Sequence, residues 1–471
     1  MNTITTDVAV IGAGTAGLAA YRAAKAAGRT ALLIEGGTYG TTCARVGCMP
    51  SKLLIAPAEA AHALARFDAF GLRLPGEVVV DGEAVMARVR AERDRFVGFV
   101  LQGVAAIPPA DRFDGCARFV DDTTLIAGES TVTAHAVVIA TGSSPSYPAA
   151  WAGLGDRLVT NETIFDWTRL PESVVVFGPG VIGLELGQAL HRLGVRVKVF
   201  GRGGGVGPLS DPELLTEARR LFAAEFHLDT DARAEVTRDG DHVVVRYRAS
   251  DGDWRSEQFD YLLAATGRAP NVRMLGLEST TLVRDAQGVP LFDRETLQCG
   301  NAPIFIAGDA NADVPLLHEA ADEGRIAGEN AARFPDIRAG LRRAGLAIVF
   351  TDPQIAVIGG GLRAAREAAA GFVTGAVSFD DQGRARVMQR NRGRLHVYAE
   401  IGTGLLLGAE MIGPDAEHLA HLIAWARQLD LTIAEMLTLP FYHPVVEEGL
   451  RTALRDAYAK LDAAAKQRRA A

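Results

Sequence analysis

The sequence predicts an α/β chain with two Rossmann-like dinucleotide-binding domains and a C-terminal α+β domain, on three observations. A glycine triplet, Gly12, Gly14 and Gly17, joins an apolar strand to a helix-forming stretch. The same arrangement returns 166 residues further on, at Gly178, Gly180 and Gly183. Beyond about residue 341 the pattern changes to short apolar strands followed by amphipathic helices. A length of 471 residues suits about three domains at ~150 residues each.

The first unit begins with TDVAVIGAGTAG (6–17), a β-branched run that ends in the glycines, continues through LAAYRAAKAAG and closes with the strand TALLIE. Glu35 ends that strand 18 residues after Gly17, where a carboxylate can accept hydrogen bonds from an unphosphorylated ribose diol. Glycines let the backbone approach a pyrophosphate, and the helix N-terminus offers unpaired N–H groups and a positive dipole end. The second unit, VVVFGPGVIGLELGQALHRLGVRVKVF (174–200), repeats this logic, so two nucleotides are expected, one held permanently and one exchanged.

Further strands follow at 261–267 and 303–309, then a helix near 316–334. From 341 onward LAIVFTDPQIAVIG, GFVTGAVSF, RLHVYAEI and LLLGAEMIG read as an antiparallel sheet, with helices at 415–430 and 446–468.

Composition narrows the function. With 49 Lys and Arg against 57 Asp and Glu the net charge is −8, so the chain lacks the basic footprint of a nucleic-acid binder. No apolar run reaches the ~18 residues of a membrane span. The first residues lack signal-peptide features, and a cytoplasmic location is expected. Four cysteines are too few for a disulfide framework, so a close pair in a reducing compartment points to catalysis or metal binding.

Cys43 and Cys48 form such a pair. On a regular α-helix, residues five apart are roughly 8.6 Å apart, beyond the ~7 Å that a disulfide bridges. A bridge therefore requires an irregular helix, and Gly47 supplies the distortion. Two buried free thiols are the other reading. A zinc site is disfavoured, since Cys116 and Cys299 have no neighbouring ligand and are expected in the core; no metal is expected.

With these residues in place, the chain resembles the pyridine nucleotide-disulfide oxidoreductases of the glutathione reductase and dihydrolipoamide dehydrogenase type, over essentially its whole length. The resemblance rests on the two glycine motifs, TTCARVGCMPSK, Ala140-Thr141-Gly142, Thr266-Gly267-Arg268, Ala307-Gly308-Asp309, Phe350-Thr351-Asp352-Pro353 and His443-Pro444 with Glu447-Glu448. It implies FAD on residues 1–148 and 270–340, NAD(P) on 149–269, and a two-fold dimer through 341–471 with active sites shared between protomers. It further implies that Cys48 faces the flavin and Cys43 exchanges with substrate. Lys52 stands beside the flavin and pairs with Glu185, while Thr141, Gly142, Gly308 and Asp309 line the FAD site, with Asp309 on the ribityl chain. Gly267 and, besides its pairing with Lys52, Glu185 belong to the NAD(P) set.

By the same resemblance His443 is the acid–base residue, oriented by Glu448. Pro444 suits a first helical position, which places His443 at a helix cap and Glu448 just over one turn in.

Two departures stand out. Ala44-Arg45 follows Cys43 where the family has Leu-Asn or Val-Asn; Arg45 either lowers a thiol pKa, selects substrate, or points to solvent. Gly201-Arg202 closes the second unit in place of a glutamate, so no carboxylate meets a 2′-hydroxyl, and Arg202 suits a 2′-phosphate. Overall resemblance still tips the expectation slightly to NAD, with NADP as the alternative.

The leading expectation is a dihydrolipoyl dehydrogenase, passing electrons from a small or lipoyl-bound dithiol through Cys43/Cys48 and FAD to NAD+. An NADPH-driven reductase of another small disulfide is second. A mercuric reductase fits less, lacking a cysteine pair near the C-terminus, and a transhydrogenase would lack the redox pair. A flavin-bearing subunit of a multienzyme assembly, such as a 2-oxoacid dehydrogenase complex, is compatible, although the intact redox set argues against a purely structural role.

Overall fold

Val8, Ala9, Val10 and Ile11 have no polar side to offer water, and the strand they end, β1 (Asn2–Ile11), is buried on both faces over that stretch, as a central parallel strand must be. Each fully buried Val or Ile contributes about 1.5–3 kcal/mol relative to exposure. The chain leaves β1 through helix α1 (Thr15–Ala26) and returns as strand β2 (Ala31–Glu35), paired parallel to β1. This βαβ unit anchors a sheet ordered Arg112–Asp114, β2, β1, Ser130–Ile139, Thr124–Ala127, Ala117–Phe119, with Ile304–Ile306 added in parallel to Ser130–Ile139.

The computed structural model describes residues 2–73, 76, 78–368 and 371–470. They fall into two units: Met1–Leu53, Arg88–Ser146 and Gly267–Arg342 in one, and Leu54–Ala87, Tyr147–Thr266 and Arg343–Ala471 in the other. Within the first, α1 packs against the helix Leu317–Arg333 without side chains between the backbones. A Cβ on Gly324 would stand 2.1 Å from the Ala16 carbonyl oxygen, and one on Gly328 would stand 2.3 Å from that of Ala20. The expected helix at 316–334 is therefore present, and it crosses α1 at two glycines.

The second unit contains a five-stranded parallel sheet ordered His227–Asp229, Arg196–Phe200, Ser173–Phe177, Tyr261–Ala264, Leu158–Val159. An antiparallel meander, Ala234–Asp239, His242–Arg248 and Trp254–Phe259, accompanies it. Its middle strand buries Val243, Val245 and Tyr247 alternately. The C-terminal sheet is antiparallel, as its sequence pattern requires, in the order Leu346–Val349, Gln354–Ile358, Leu406–Gly413, Arg394–Glu400, Phe372–Ser378. Helices Ala416–Gln428 and Glu448–Ala470 cover it, together with a short helix, Ile433–Thr438, closed by a capping box between Thr432 and Glu435.

Asp211 ties the helix Pro212–Ala223 to this C-terminal sheet. One of its oxygens caps that helix, accepting from the Glu213 N–H at 2.9 Å, and the other lies 2.8 Å from His396 Nδ1 and accepts from the Tyr398 hydroxyl at 2.9 Å. Fully buried Glu410 accepts the backbone N–H of Ser210, Asp211 and Leu362.

Two expectations need correction. Cys116 is exposed, lying over the backbone of Gly36 at the end of β2, and only Cys299 is a core residue. His443 is not a helix cap: the helix begins at Glu448, because residues 443–447 form a turn whose Val445 N–H is accepted by the Glu448 carboxylate at 3.3 Å.

Candidate active site

The cysteines sit on two helices where one regular helix would have kept them apart. Thr41, at φ 59°, caps helix α2 (Thr42–Val46) by accepting the Ala44 N–H. Gly47 then turns the chain at φ −124°, ψ −119°, and helix α3 (Cys48–Ala65) begins. A Cβ on Gly47 would meet the Thr42 oxygen at 3.0 Å and the Cys43 Cα at 3.2 Å, so the chain folds tightly back over its own first turn. This is the distortion expected at Gly47, and it brings the thiols together. Both cysteines are thiols, Cys43 half-buried and Cys48 exposed. The hydrogen bond to Cys48, and then burial, push the Cys43 thiol far above its ordinary value.

Arg45 is held within its own segment. Its guanidinium donates to the Thr38 carbonyl at 3.3 Å, and its stem fills the space in which a Cβ on Gly40 would stand, 2.9 Å from Arg45 Cδ. It braces the segment before α2. Lys52 Nζ donates to the Ser51 hydroxyl at 3.3 Å, which in turn donates to the Cys48 carbonyl.

The first glycine motif gives each glycine a separate reason. A Cβ on Gly12 would lie 2.4 Å from the Ala140 oxygen and one on Gly17 would lie 1.8 Å from that of Gly12, whereas a Cβ on Gly14 would meet nothing within 4 Å. Two glycines close the turn and the middle one faces open space, where a pyrophosphate could approach the backbone. Glu35 accepts the Ala13 N–H at 2.6 Å and the Gly37 N–H at 2.7 Å, one on each oxygen. Each oxygen keeps a lone pair for a ribose. Thr141 Oγ1 is buried with no hydrogen-bond partner among the described residues. Beside it, Gly142 has φ 68° and its carbonyl accepts the Asn271 N–H. Asp309 accepts from Ser143 Oγ at 2.7 Å, and Arg268 Nε also bonds that hydroxyl at 2.8 Å. An open glycine, an orphaned hydroxyl and a fixed carboxylate in one unit fit a dinucleotide such as FAD.

The second motif repeats the pattern: a Cβ on Gly178 would lie 2.2 Å from the Ala265 oxygen and one on Gly183 would lie 1.9 Å from that of Gly178, while Gly180 faces open space. Glu185, on the helix Val181–Arg192, is buried and accepts the Phe350 N–H at 2.9 Å. Gly201 has no room for a side chain: a Cβ there would stand 2.7 Å from Pro179 Cγ and 2.8 Å from the Thr230 oxygen. Arg202 is exposed. Sequence reasoning missed Arg219, whose guanidinium bonds the Gly204 carbonyl while its Nε is buried without a hydrogen-bond partner among the described residues. Gly267 begins the last segment of the first unit, and its carbonyl accepts the Ser146 N–H at 2.9 Å.

His443 Nδ1 lies 3.1 Å from both oxygens of Glu448. The carboxylate fixes the tautomer with hydrogen on Nδ1, leaving Nε2 free to take a proton on a ring that is 80% exposed. The hydrogen bond from His443 lowers the Glu448 pKa. Among the described residues, no group of three or more His, Cys, Asp or Glu is placed to hold a metal ion, and no helix is long and apolar enough to cross a membrane.

Comparison with known proteins agrees with this geometry. Residues 6–324 match the family model described as pyridine nucleotide-disulphide oxidoreductase, and residues 346–454 match the dimerisation domain of the same family. The chain is 32% identical to a mercuric reductase of Acidithiobacillus ferrooxidans over 463 residues, covering 95% of this chain and 81% of that protein. It is 30% identical to a dihydrolipoyl dehydrogenase of Bacillus subtilis over 461 residues, covering 95% and 97%. Among solved structures it is similar to LpdA of Mycobacterium tuberculosis, with TM-score 0.80, 26% identity and coverage of 97% and 99%. In fold alone it is also similar to the HOCl-induced flavoprotein disulfide reductase RclA of Escherichia coli, with TM-score 0.79, 22% identity and coverage of 96% and 99%.

Proposed function

Because the chain belongs to the pyridine nucleotide-disulphide oxidoreductases, we propose that it oxidises a dihydrolipoyl-type dithiol and reduces a pyridine nucleotide, by way of the Cys43/Cys48 pair. The observation that carries this reading is the pair itself: two cysteines on separate helices, folded together at Gly47 and hydrogen-bonded. The reaction starts from their disulfide. One substrate thiol gives its proton to His443 Nε2 and attacks Cys43 Sγ, breaking the S–S bond and releasing Cys48 as a thiolate. The second substrate thiol attacks the substrate sulfur of the mixed disulfide, breaking its bond to Cys43, and its proton passes to the departing Cys43 sulfur; the oxidised cyclic product leaves and the electron pair stays on the cysteines. Glu448 keeps His443 in the tautomer that receives the proton. When bound by the residues around Gly14, Glu35, Thr141 and Asp309, FAD supplies the two-electron carrier between the cysteines and the nicotinamide. The dimerisation domain supports a homodimer, and in our reading His443 of one protomer serves the cysteines of the other.

A second reading, an NADPH-driven reductase of another small disulfide, is favoured by the second nucleotide motif. Pro179 closes the place where a ribose-binding acid would stand, and two guanidiniums, Arg202 and Arg219, belong to the loop after that strand or bond to it.

Anaerobic turnover of dihydrolipoamide with NAD+ and NADP+ side by side tests both. Turnover with NAD+ supports the first reading. Inactivity toward dihydrolipoamide, with NADPH oxidised on addition of a disulfide, replaces it with the second. Mercuric ion, named in the relatives' activity, is the comparison substrate.

A further inference from the structure

Glu323 is fully buried on the helix Leu317–Arg333, behind the turn that carries Gly308 and Asp309. Its Oε2 accepts the Gly308 N–H at 2.8 Å and the Asn311 side-chain amide at 2.7 Å, so one oxygen gathers both ends of the turn Gly308–Asn311. Its Oε1 accepts from Arg342 Nη2 at 2.8 Å, and the same nitrogen reaches Glu319 at 3.1 Å. Arg342 is itself held, since its Nη1 donates to the Arg294 carbonyl at 3.0 Å. The turn has little other freedom. A Cβ on Gly308, at φ 69°, would stand 3.0 Å from Ala16 Cβ on α1 and 3.2 Å from Ala320 Cβ.

The turn presents Asp309, which takes the Ser143 hydroxyl, and it lies against Ala16, one residue before the last glycine of the first motif. We propose that Glu323, paired with Arg342, is the positioning residue of the first nucleotide site: it fixes the Gly308–Asp309 turn relative to the glycine motif and thereby sets how tightly FAD is held. The inference rests on the reading of that site as an FAD site. The pairing with Arg342 matters because a bare carboxylate under a pyrophosphate site would repel the ligand, and the guanidinium, which also meets Glu319, offsets part of that charge while holding Glu323 in place.

The test uses the purified full-length protein and its Glu323→Leu, Glu323→Gln and Arg342→Met variants. FAD dissociation is read by fluorescence of released flavin, and the environment of the ring by the visible absorption band and the flavin reduction potential. Glu323→Leu is expected to raise the FAD dissociation constant at least tenfold, and Glu323→Gln, which keeps an acceptor for Gly308, to recover most of that loss. Arg342→Met is expected to weaken FAD while leaving the KM for the pyridine nucleotide within twofold. Unchanged FAD binding in Glu323→Leu overturns the inference. Should that variant not fold, unchanged FAD binding in Arg342→Met does so. A Gln variant no better than the Leu variant also overturns it, since loss of FAD would then follow general destabilisation. Failure of the unmodified protein to bind added FAD would instead overturn the reading of the site itself.

Discussion

Glu448 grips His443 Nδ1 symmetrically, with both carboxylate oxygens at 3.1 Å. Replacing His443 by Gln is expected to lower kcat for dithiol oxidation by roughly 10²–10⁴-fold, the usual loss on removing a general base, with FAD content unchanged. Glu448→Gln keeps the bulk and removes the charge. Because His443 lowers the Glu448 pKa, the pair is present above the ordinary glutamate range and is lost as pH falls through the depressed value. The variant is expected to shift the acid limb of the kcat/KM profile, and a profile identical to the unmodified protein's would remove Glu448 from the mechanism.

Cys48→Ser is expected to abolish dithiol turnover while leaving the fold intact. The side chain is exposed, so the change in stability should stay within about 0.5 kcal/mol. Urea unfolding beside a dihydrolipoamide assay separates the two effects, and a variant with full turnover would refute the exchange mechanism.

Pro179 and Gly201 exclude one another's side chains. Gly201→Glu alone is therefore expected to destabilise the protein by about 1–3 kcal/mol, as overpacking does, without improving NAD+ binding. On the second reading, Arg202→Ala raises the KM for NADP+ roughly tenfold, about 1.4 kcal/mol, and leaves NAD+ unaffected. Equal effects on both nucleotides would deny Arg202 contact with a 2′-phosphate.

Asp211 makes the protein's acid stability measurable at one residue. Burial opposes its ionisation, but the hydrogen bond and charge of His396, the Tyr398 hydroxyl and the Glu213 N–H outweigh that and hold its pKa lowered to about 2. The folded value lies below the unfolded one, so its contribution is complete above about pH 4 and is lost as pH falls toward 2. Asp211→Asn should lower Tm at neutral pH, with the gap to the unmodified protein closing as the melts are taken to pH about 2. A gap independent of pH would show that the lost packing, rather than the charge, is responsible.

Much of this was legible in the chain because its signals are local. The glycine triplets, the apolar runs of β1 and Ser173–Phe177 and the irregular helix demanded by Cys43 and Cys48 all lie within short windows. Part of what escaped depends on contacts the sequence does not mark. Asp309 meets Ser143 across 166 residues, and nothing near Arg219 in the sequence marks it as reaching Gly204. His443 was misplaced because a Pro after a His reads as a helix start, whereas the Glu448 carboxylate closes a turn there and delays the helix. Cys116 was assigned to the core on residue type, which says nothing of its place in the short exposed link between the strands Arg112–Asp114 and Ala117–Phe119.

The near-identity of the two glycine turns bears on residence times. Their critical approaches are 2.4 and 1.8 Å in one and 2.2 and 1.9 Å in the other, and each leaves its middle glycine open. One backbone solution used twice cannot by itself make one ligand resident for the life of the protein and the other a visitor in every turnover. The difference in off-rate has to be written in what surrounds each turn. The first is flanked by a segment clamped from beneath by a buried carboxylate, the second by a glycine-rich loop with an exposed arginine. Exchanging those surroundings, with the glycines untouched, is the route by which a tenant and a visitor would trade places.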